Sequence, residues 1–179
     1  GKCASVDAPE PRDPGSNEAP TAPLEDGKTY ALTFDTNCGS FTVPLDTALA
    51  PNTAASLVAL AKAAYFDDTI FHRVVPGFVI QGGDPTQSGS GGPGYSTVDV
   101  PPSDAVYTKG TVAMAKSELE APGTAGSQFF VVQSILGLRP AAPAIAAIIK
   151  HKTRESQSVQ LYQVLQPMDD VTRVPVAPE

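Results

Sequence analysis

Histidine, cysteine and methionine are scarce in this 179-residue chain, at two residues each, and tryptophan is absent. Neither histidine, His72 or His151, has a cysteine or carboxylate around it at metal-ligand spacing, so no zinc site and no metal-activated water is expected. Basic residues are also short, twelve Lys and Arg against nineteen Asp and Glu, which leaves a net charge of −7. Nucleic acid and anionic membranes are held by basic patches that release counterions, so neither is the expected partner. Long apolar runs are missing too. The longest, Ala141 to Ile149, contains a proline and falls far short of the roughly 18 residues that a bilayer span needs, so no membrane insertion is expected. The glycine runs Gly82-Gly83 and Gly91-Gly92-Pro93-Gly94 lack the Gly-Lys-Ser/Thr ending of a phosphate loop and read as turns. Asp67 and Asp68 are adjacent carboxylates at a helix exit, which is turn chemistry before it is an acid/base dyad.

What remains is enough for one ordinary domain, since 41% of the residues are apolar. Residues 1–26 are different in kind. They hold five prolines, eight charged residues and no aromatic, too little apolar surface to offset chain entropy, and read as an extended or partly disordered extension ahead of a domain at 27–179. From Tyr30, strict alternation (Tyr30, Leu32, Phe34, then Phe41, Val43, Leu45 beyond an Asn37 to Gly39 turn) predicts a β-hairpin, with Pro44 near a strand end. At Pro51 to Ala64 the period changes, and Leu57, Leu60, Ala61 and Ala64 form one stripe of a helix with Pro51 in its first turn. Short strands are predicted at Ile70 to Val74, Phe78 to Gly82, Thr111 to Ala115 and Phe129 to Val132. A second helix is predicted near Glu155 to Leu165 and a last strand near Val171 to Val176. Many short strands with two helices predict a mainly β fold, a small barrel capped at its ends.

The two cysteines allow one bridge or two thiols. Cys3 lies in a polar tail and Cys38 in a turn between strands, positions that favour a Cys3–Cys38 disulfide fastening the extension to the domain. That bridge would imply an extracytoplasmic, oxidising setting, secreted or at the cell envelope. Two unpaired thiols and a lipid-anchored Cys3 are the alternatives.

The most informative string is Phe71-His72-Arg73-Val74-Val75-Pro76-Gly77-Phe78-Val79-Ile80-Gln81-Gly82-Gly83-Asp84. A turn at Pro76-Gly77 folds its halves together, so that Arg73 stands beside Gln81 with Phe78 at the edge. This string resembles that of the cyclophilin family, and Gly110 to Ala115 and Gly126-Ser127-Gln128-Phe129-Phe130 resemble the family's other two hallmark segments. The resemblance runs from about Tyr30 to Val132. It implies a closed eight-stranded antiparallel barrel capped by two α-helices, and a peptidyl-prolyl cis/trans isomerase without metal or cofactor.

Position by position, the resemblance makes Arg73 the catalytic arginine and Phe78, Val79 and Phe130 the lining of a proline pocket. Gln81 and Gln128 become polar contacts, Ala115 and Lys116 the strand that pairs with substrate backbone, and Gly89 part of the loop beside a neighbouring pocket. The chemistry suits these residue types. Rotation about an X-Pro bond passes through a state that has lost amide resonance, about 18–20 kcal/mol up, in which the proline nitrogen regains a lone pair that a guanidinium can stabilise. Phe71 and Phe129 read as core, and His72 as structural. Lys116 stands where the family usually has asparagine. Beyond Val132 the match is poor: Leu138, Ala142 and Ala146 fall where the pocket rim is expected, Leu138 still offering an apolar wall. With Ala142 there and no tryptophan, cyclosporin binding is expected to be weak. The expected partners are proline-containing peptides and unfolded protein segments. A proline-peptide binding module or chaperone with little turnover is the alternative, as are visits of Ala19-Pro20 and Ala22-Pro23 to a pocket of their own or a neighbouring molecule.

Overall fold

In a computed structural model, the described residues are 3–133, together with the backbone of 156–160. The strands are β1 (Ala31–Thr36), β2 (Gly39–Pro44), β3 (Arg73–Val75), β4 (Val79–Gly82), β5 (Thr97–Val98), β6 (Val112–Met114), β7 (Thr124–Ala125), β8 (Phe129–Val132) and β9 (Ser156–Gln160), with one helix, α1 (Pro51–Lys62), after β2. They form three sheets, ordered β2-β1-β9, β3-β4-β8-β6 and β5-β7.

The hairpin β1–β2 follows the predicted alternation, pairing Phe34 with Phe41 and Leu32 with Val43. Pro44 closes β2 opposite Ala31, at the strand end where its missing N–H is tolerated. Leu32, Phe34 and Val43 enter a core shared with Leu57 and Leu60 of α1 and with Phe66, Phe71, Met114 and Phe129. Phe129 is its hub. Its ring meets Phe34 at 5.1 Å, Phe71 at 6.1 Å and Phe66 at 6.4 Å between centroids, and burying such a side chain contributes about 2–3 kcal/mol.

Helix α1 begins with Pro51 in its first turn, but Ala50 before it has no side-chain oxygen to cap the free N–H groups. Asp99 supplies one from 46 residues further on, its carboxylate accepting from Thr53 N at 2.7 Å and from Asn52 N at 3.3 Å and Nδ2 at 2.9 Å. At the other end Tyr65 N reaches back to Leu60 O, and Ala64 takes φ +54°, where glycine is usual. Ala64 therefore lies beyond the helix, not on its apolar stripe as expected.

The expectation of a closed antiparallel barrel with two helices is corrected. Among the described residues there is one helix and no closed barrel, and the sheets are not purely antiparallel. Ser156–Gln160, placed by the sequence in a second helix, is strand β9, parallel to β1 with Ala31 opposite Ser156 and Phe34 opposite Val159. Serine and β-branched valine are poor helix formers, and the open edge of β1 offers ladder partners that an exposed helix turn lacks. The expected strand at 171–176, the rest of that expected helix, and Leu138, Ala142, Ala146 and His151 lie outside the described residues.

Candidate active site

The turn that builds the site is Val75-Pro76-Gly77-Phe78. Proline fixes the first corner, Gly77 takes φ +73° at the second, and Phe78 N donates to Val75 O at 3.0 Å. This turn sets the register of β3 against β4 and puts Arg73 directly opposite Gln81. Gln81 is in turn opposite Phe130 on β8, and Phe130 opposite Ala113 on β6. Residues in cross-strand register share a face, so Arg73, Gln81 and Phe130 form one row across the sheet, while Phe129, one residue away, points into the core.

Arg73 Nη1 donates to Gln81 Oε1 at 3.3 Å, and Gln81 Nε2 donates to Gln128 Oε1 at 3.0 Å. Gln128 Nε2 donates to the carbonyls of Gly89 at 2.9 Å and Gly91 at 2.8 Å. The exposed guanidinium thus ends a chain of amides anchored in the glycine-rich loop. Beside it opens a cavity of about 370 Å³ lined by Arg73, Phe78, Val79, Gln81, Phe130, Met114 and Tyr107. A second cavity of about 590 Å³, lined by Gln81, Gly89, Gly91 and Gln128, adjoins it. Ala115, Lys116 and Ser117 border both. Ala115 N donates to Gln128 O at 2.8 Å, and Lys116 Nζ folds onto the carbonyls of Ser117 and Glu120 at 2.9 and 3.0 Å. Every residue named from the sequence for the pocket lines one cavity or the other, except Leu138, Ala142 and Ala146, which lie outside the described residues.

The sequence reading missed four supports. Tyr107, in a loop without periodicity, packs on Phe130 at 5.6 Å between ring centroids, and burial pushes its phenol pKa up. Ser127 is fully buried and bridges Tyr65 OH (3.1 Å) to Gly83 O (2.7 Å). Burial also raises the Tyr65 pKa, against the effect of that Ser127 contact. Asp84, at the end of the Phe71 string, is wholly buried and collects Thr86 N at 2.8 Å, Thr86 Oγ1 at 2.7 Å, Gly89 N at 2.8 Å and Gly91 N at 3.1 Å. Burial would raise its pKa, but the Thr86 hydroxyl and the N–H groups of Gly91, Thr86 and Gly89 together outweigh it and hold the carboxyl below its ordinary 3.8. The glycines are required here. A Cβ on Gly91 would stand 2.0 Å from Asp84 Oδ1, and one on Gly83 2.4 Å from Ser127 O.

His72 turns away from this chemistry. Its two ring nitrogens are hidden from solvent without a hydrogen-bond partner among the described residues, and a Cβ on Gly89 would lie 3.7 Å from the ring. Desolvation lowers its pKa below 6.5, partly offset by Asp84, and Arg73 lowers it further. Gln128 is near enough to favour the protonated ring, yet its amide is spent on Gly89 and Gly91.

Comparison with known proteins bears on this geometry. Residues 31–136 match the model of the cyclophilin type peptidyl-prolyl cis-trans isomerase/CLD family. The chain is 44% identical over 104 residues to peptidyl-prolyl cis-trans isomerase-like 1 of Emericella nidulans, covering 56% of this chain and 62% of that protein. It is 43% identical over 109 residues to peptidyl-prolyl cis-trans isomerase-like 2 of Cryptococcus neoformans, covering 58% of this chain and 18% of that protein. It therefore spans less than two-thirds of either relative. The crystal structure of a cyclophilin type peptidyl-prolyl cis-trans isomerase from Cryptosporidium parvum superposes with a TM-score of 0.55 at 32% identity, covering 63% of this chain and 70% of that one. The same protein crystallised in the presence of the dipeptide Ala-Pro gives a TM-score of 0.54 at 32% identity, covering 63% of this chain and 72% of that one.

Proposed function

The chain belongs to the cyclophilin-type peptidyl-prolyl cis-trans isomerases, and from that premise we propose that it accelerates rotation about X-Pro bonds in exposed or unfolded segments, with Arg73 as the catalytic group. The observation that carries this reading is the row Arg73, Gln81, Phe130 beside an apolar-walled cavity. A proline ring gripped by Phe78, Val79 and Phe130 brings its nitrogen within reach of the guanidinium. As the bond twists and the nitrogen pyramidalises, Arg73 donates to the returning lone pair, an interaction worth more in the transition state than in either planar ground state. Gln81 Oε1 holds the guanidinium in its plane, and Gln128 holds Gln81. The backbone of Ala115 and Lys116 is the edge on which the peptide main chain aligns, with Ala115 N already taken by Gln128 O.

Residues 27–179 act as the isomerase domain in this reading and 1–26 as an appendage to it. The Cys3–Cys38 bridge favours an oxidising, extracytoplasmic setting. The absence of tryptophan favours weak cyclosporin binding. A cis/trans assay on a short Ala-Pro peptide tests the proposal: the protein accelerates exchange in proportion to its concentration. Saturable binding with no acceleration would instead favour a proline-peptide binding module.

A further inference from the structure

The amino-terminal extension is not loose. At one end Cys3 is bonded to Cys38, and Ala4 exchanges hydrogen bonds with Asn37, Ala4 N to Asn37 O and Asn37 Nδ2 to Ala4 O, both at 2.7 Å. Further along, Pro9 O accepts from Gln87 Nε2 at 2.7 Å and Arg12 N donates to Pro85 O at 3.0 Å. The Arg12 guanidinium spans the exit of α1, with Nη2 on the carbonyls of Tyr65 (2.5 Å), Asp67 (3.0 Å) and Ala64 (3.3 Å). These carbonyls belong to the turns that follow α1, and Ala64 holds a left-handed conformation that such bonds help to keep.

The contact points are not scattered. Pro85 and Gln87 flank Thr86, which with Gly89 and Gly91 donates to the buried Asp84 carboxylate. Gly89 and Gly91 present the carbonyls that hold Gln128, and through Gln128 and Gln81 they hold Arg73. On the other side, Tyr65 joins the helix exit to Ser127, next to Gln128. One arginine therefore stitches together the two segments that frame the amide chain behind the active face.

We infer that the extension is a positioning strap for the isomerase site, with Arg12 its positioning residue, and that reduction of the Cys3–Cys38 bridge slackens the strap and lowers turnover. The inference rests on the isomerase reading for its catalytic half only. Cys38 is exposed, so a dithiol can reach the bridge. One thiolate of the dithiol attacks a bridge sulfur and its second thiolate resolves the mixed disulfide. Cys3 and Cys38 leave as thiols and the dithiol leaves as its own disulfide. The strap is then tied covalently only through the chain leading to β1, and the effective concentration of Arg12 at its carbonyls falls.

The test uses the full chain in four forms: oxidised wild type, wild type in dithiothreitol, Cys3→Ser/Cys38→Ser, and Arg12→Ala, with Arg12→Lys as the conservative variant. Amide exchange at Gly89 and Gly91 is expected to quicken about tenfold in the last three forms, with core amides such as Phe129 unchanged. The kcat on an Ala-Pro peptide is expected to fall about two- to fivefold with KM nearly constant. Arg12→Lys recovers part of the loss, and dithiothreitol has no further effect on the double serine variant. Unchanged exchange at Gly89 and Gly91 in Arg12→Ala would overturn the strap. Faster exchange with unchanged kcat would overturn its link to the site. An oxidised wild type without isomerase activity would overturn the isomerase reading and the catalytic half with it, while the exchange data would still decide the strap.

Discussion

Arg73 is an ordinary surface arginine until its neighbours are counted: the turn at Pro76-Gly77 places Gln81 opposite it, and Gln128, just ahead of β8, secures Gln81. Two titratable residues behind this row set the response to pH. The His72 ring nitrogens are hidden from solvent, which favours the neutral form, so the unfolded chain takes up a proton first as pH falls below 6.5. Stability is full above that value and declines as pH drops through the lower folded pKa. Asp84 acts in a separate window, contributing stability fully above 3.8 and losing it as pH falls through its depressed folded pKa. Thermal melts between pH 8 and 3 are expected to show both declines, and His72→Phe to flatten the first while leaving the second. A first decline unchanged in His72→Phe would assign it to another group. The cavity-lining residues Arg73, Phe78, Gln81 and Phe130 were legible in the sequence because they stand in short contiguous strings. Asp84 lay in the same string, but its role depends on loop N–H groups up to seven residues further on, which no periodicity reports.

Among the elements, α1 shows how local signals and distant partners divide the work. Pro51 and the change to a helical period mark its start, and the helix begins there. Its cap comes from Asp99, beyond the reach of any capping pattern in the sequence. Asp99→Ala is expected to cost about 1–2 kcal/mol, since it leaves first-turn N–H groups unpaired at a positive helix end. Chemical denaturation should show that loss, while the peptide KM stays the same because Asp99 borders neither cavity. The hairpin β1–β2 could be read from alternation, and β4 and β8 lie within short strands that the sequence predicts. Strands β5 and β7 could not, since two residues carry no period. Residues 156–160 were expected within a helix at 155–165, whereas a free β1 edge decided in favour of a strand.

For the whole molecule, the extension is where composition said least. Its prolines and charges forecast a lack of regular structure, and residues 3–23 have none, yet a disulfide and one arginine hold it along the domain. Position in the chain pointed to the Cys3–Cys38 bridge, and the bridge is present. The Arg12 contacts had no sequence signal, because their acceptors are backbone carbonyls more than fifty residues away.

The fold, the amide chain and the pocket all converge on one guanidinium, so the most direct measurement is exchange spectroscopy on an Ala-Pro peptide with wild type and Arg73→Ala, reading affinity and cis/trans exchange together. If Arg73 acts on the twisted amide, the variant keeps its peptide Kd within about threefold while exchange slows about a hundredfold or more, as for loss of a transition-state donor. Exchange as fast in Arg73→Ala as in wild type would contradict the account.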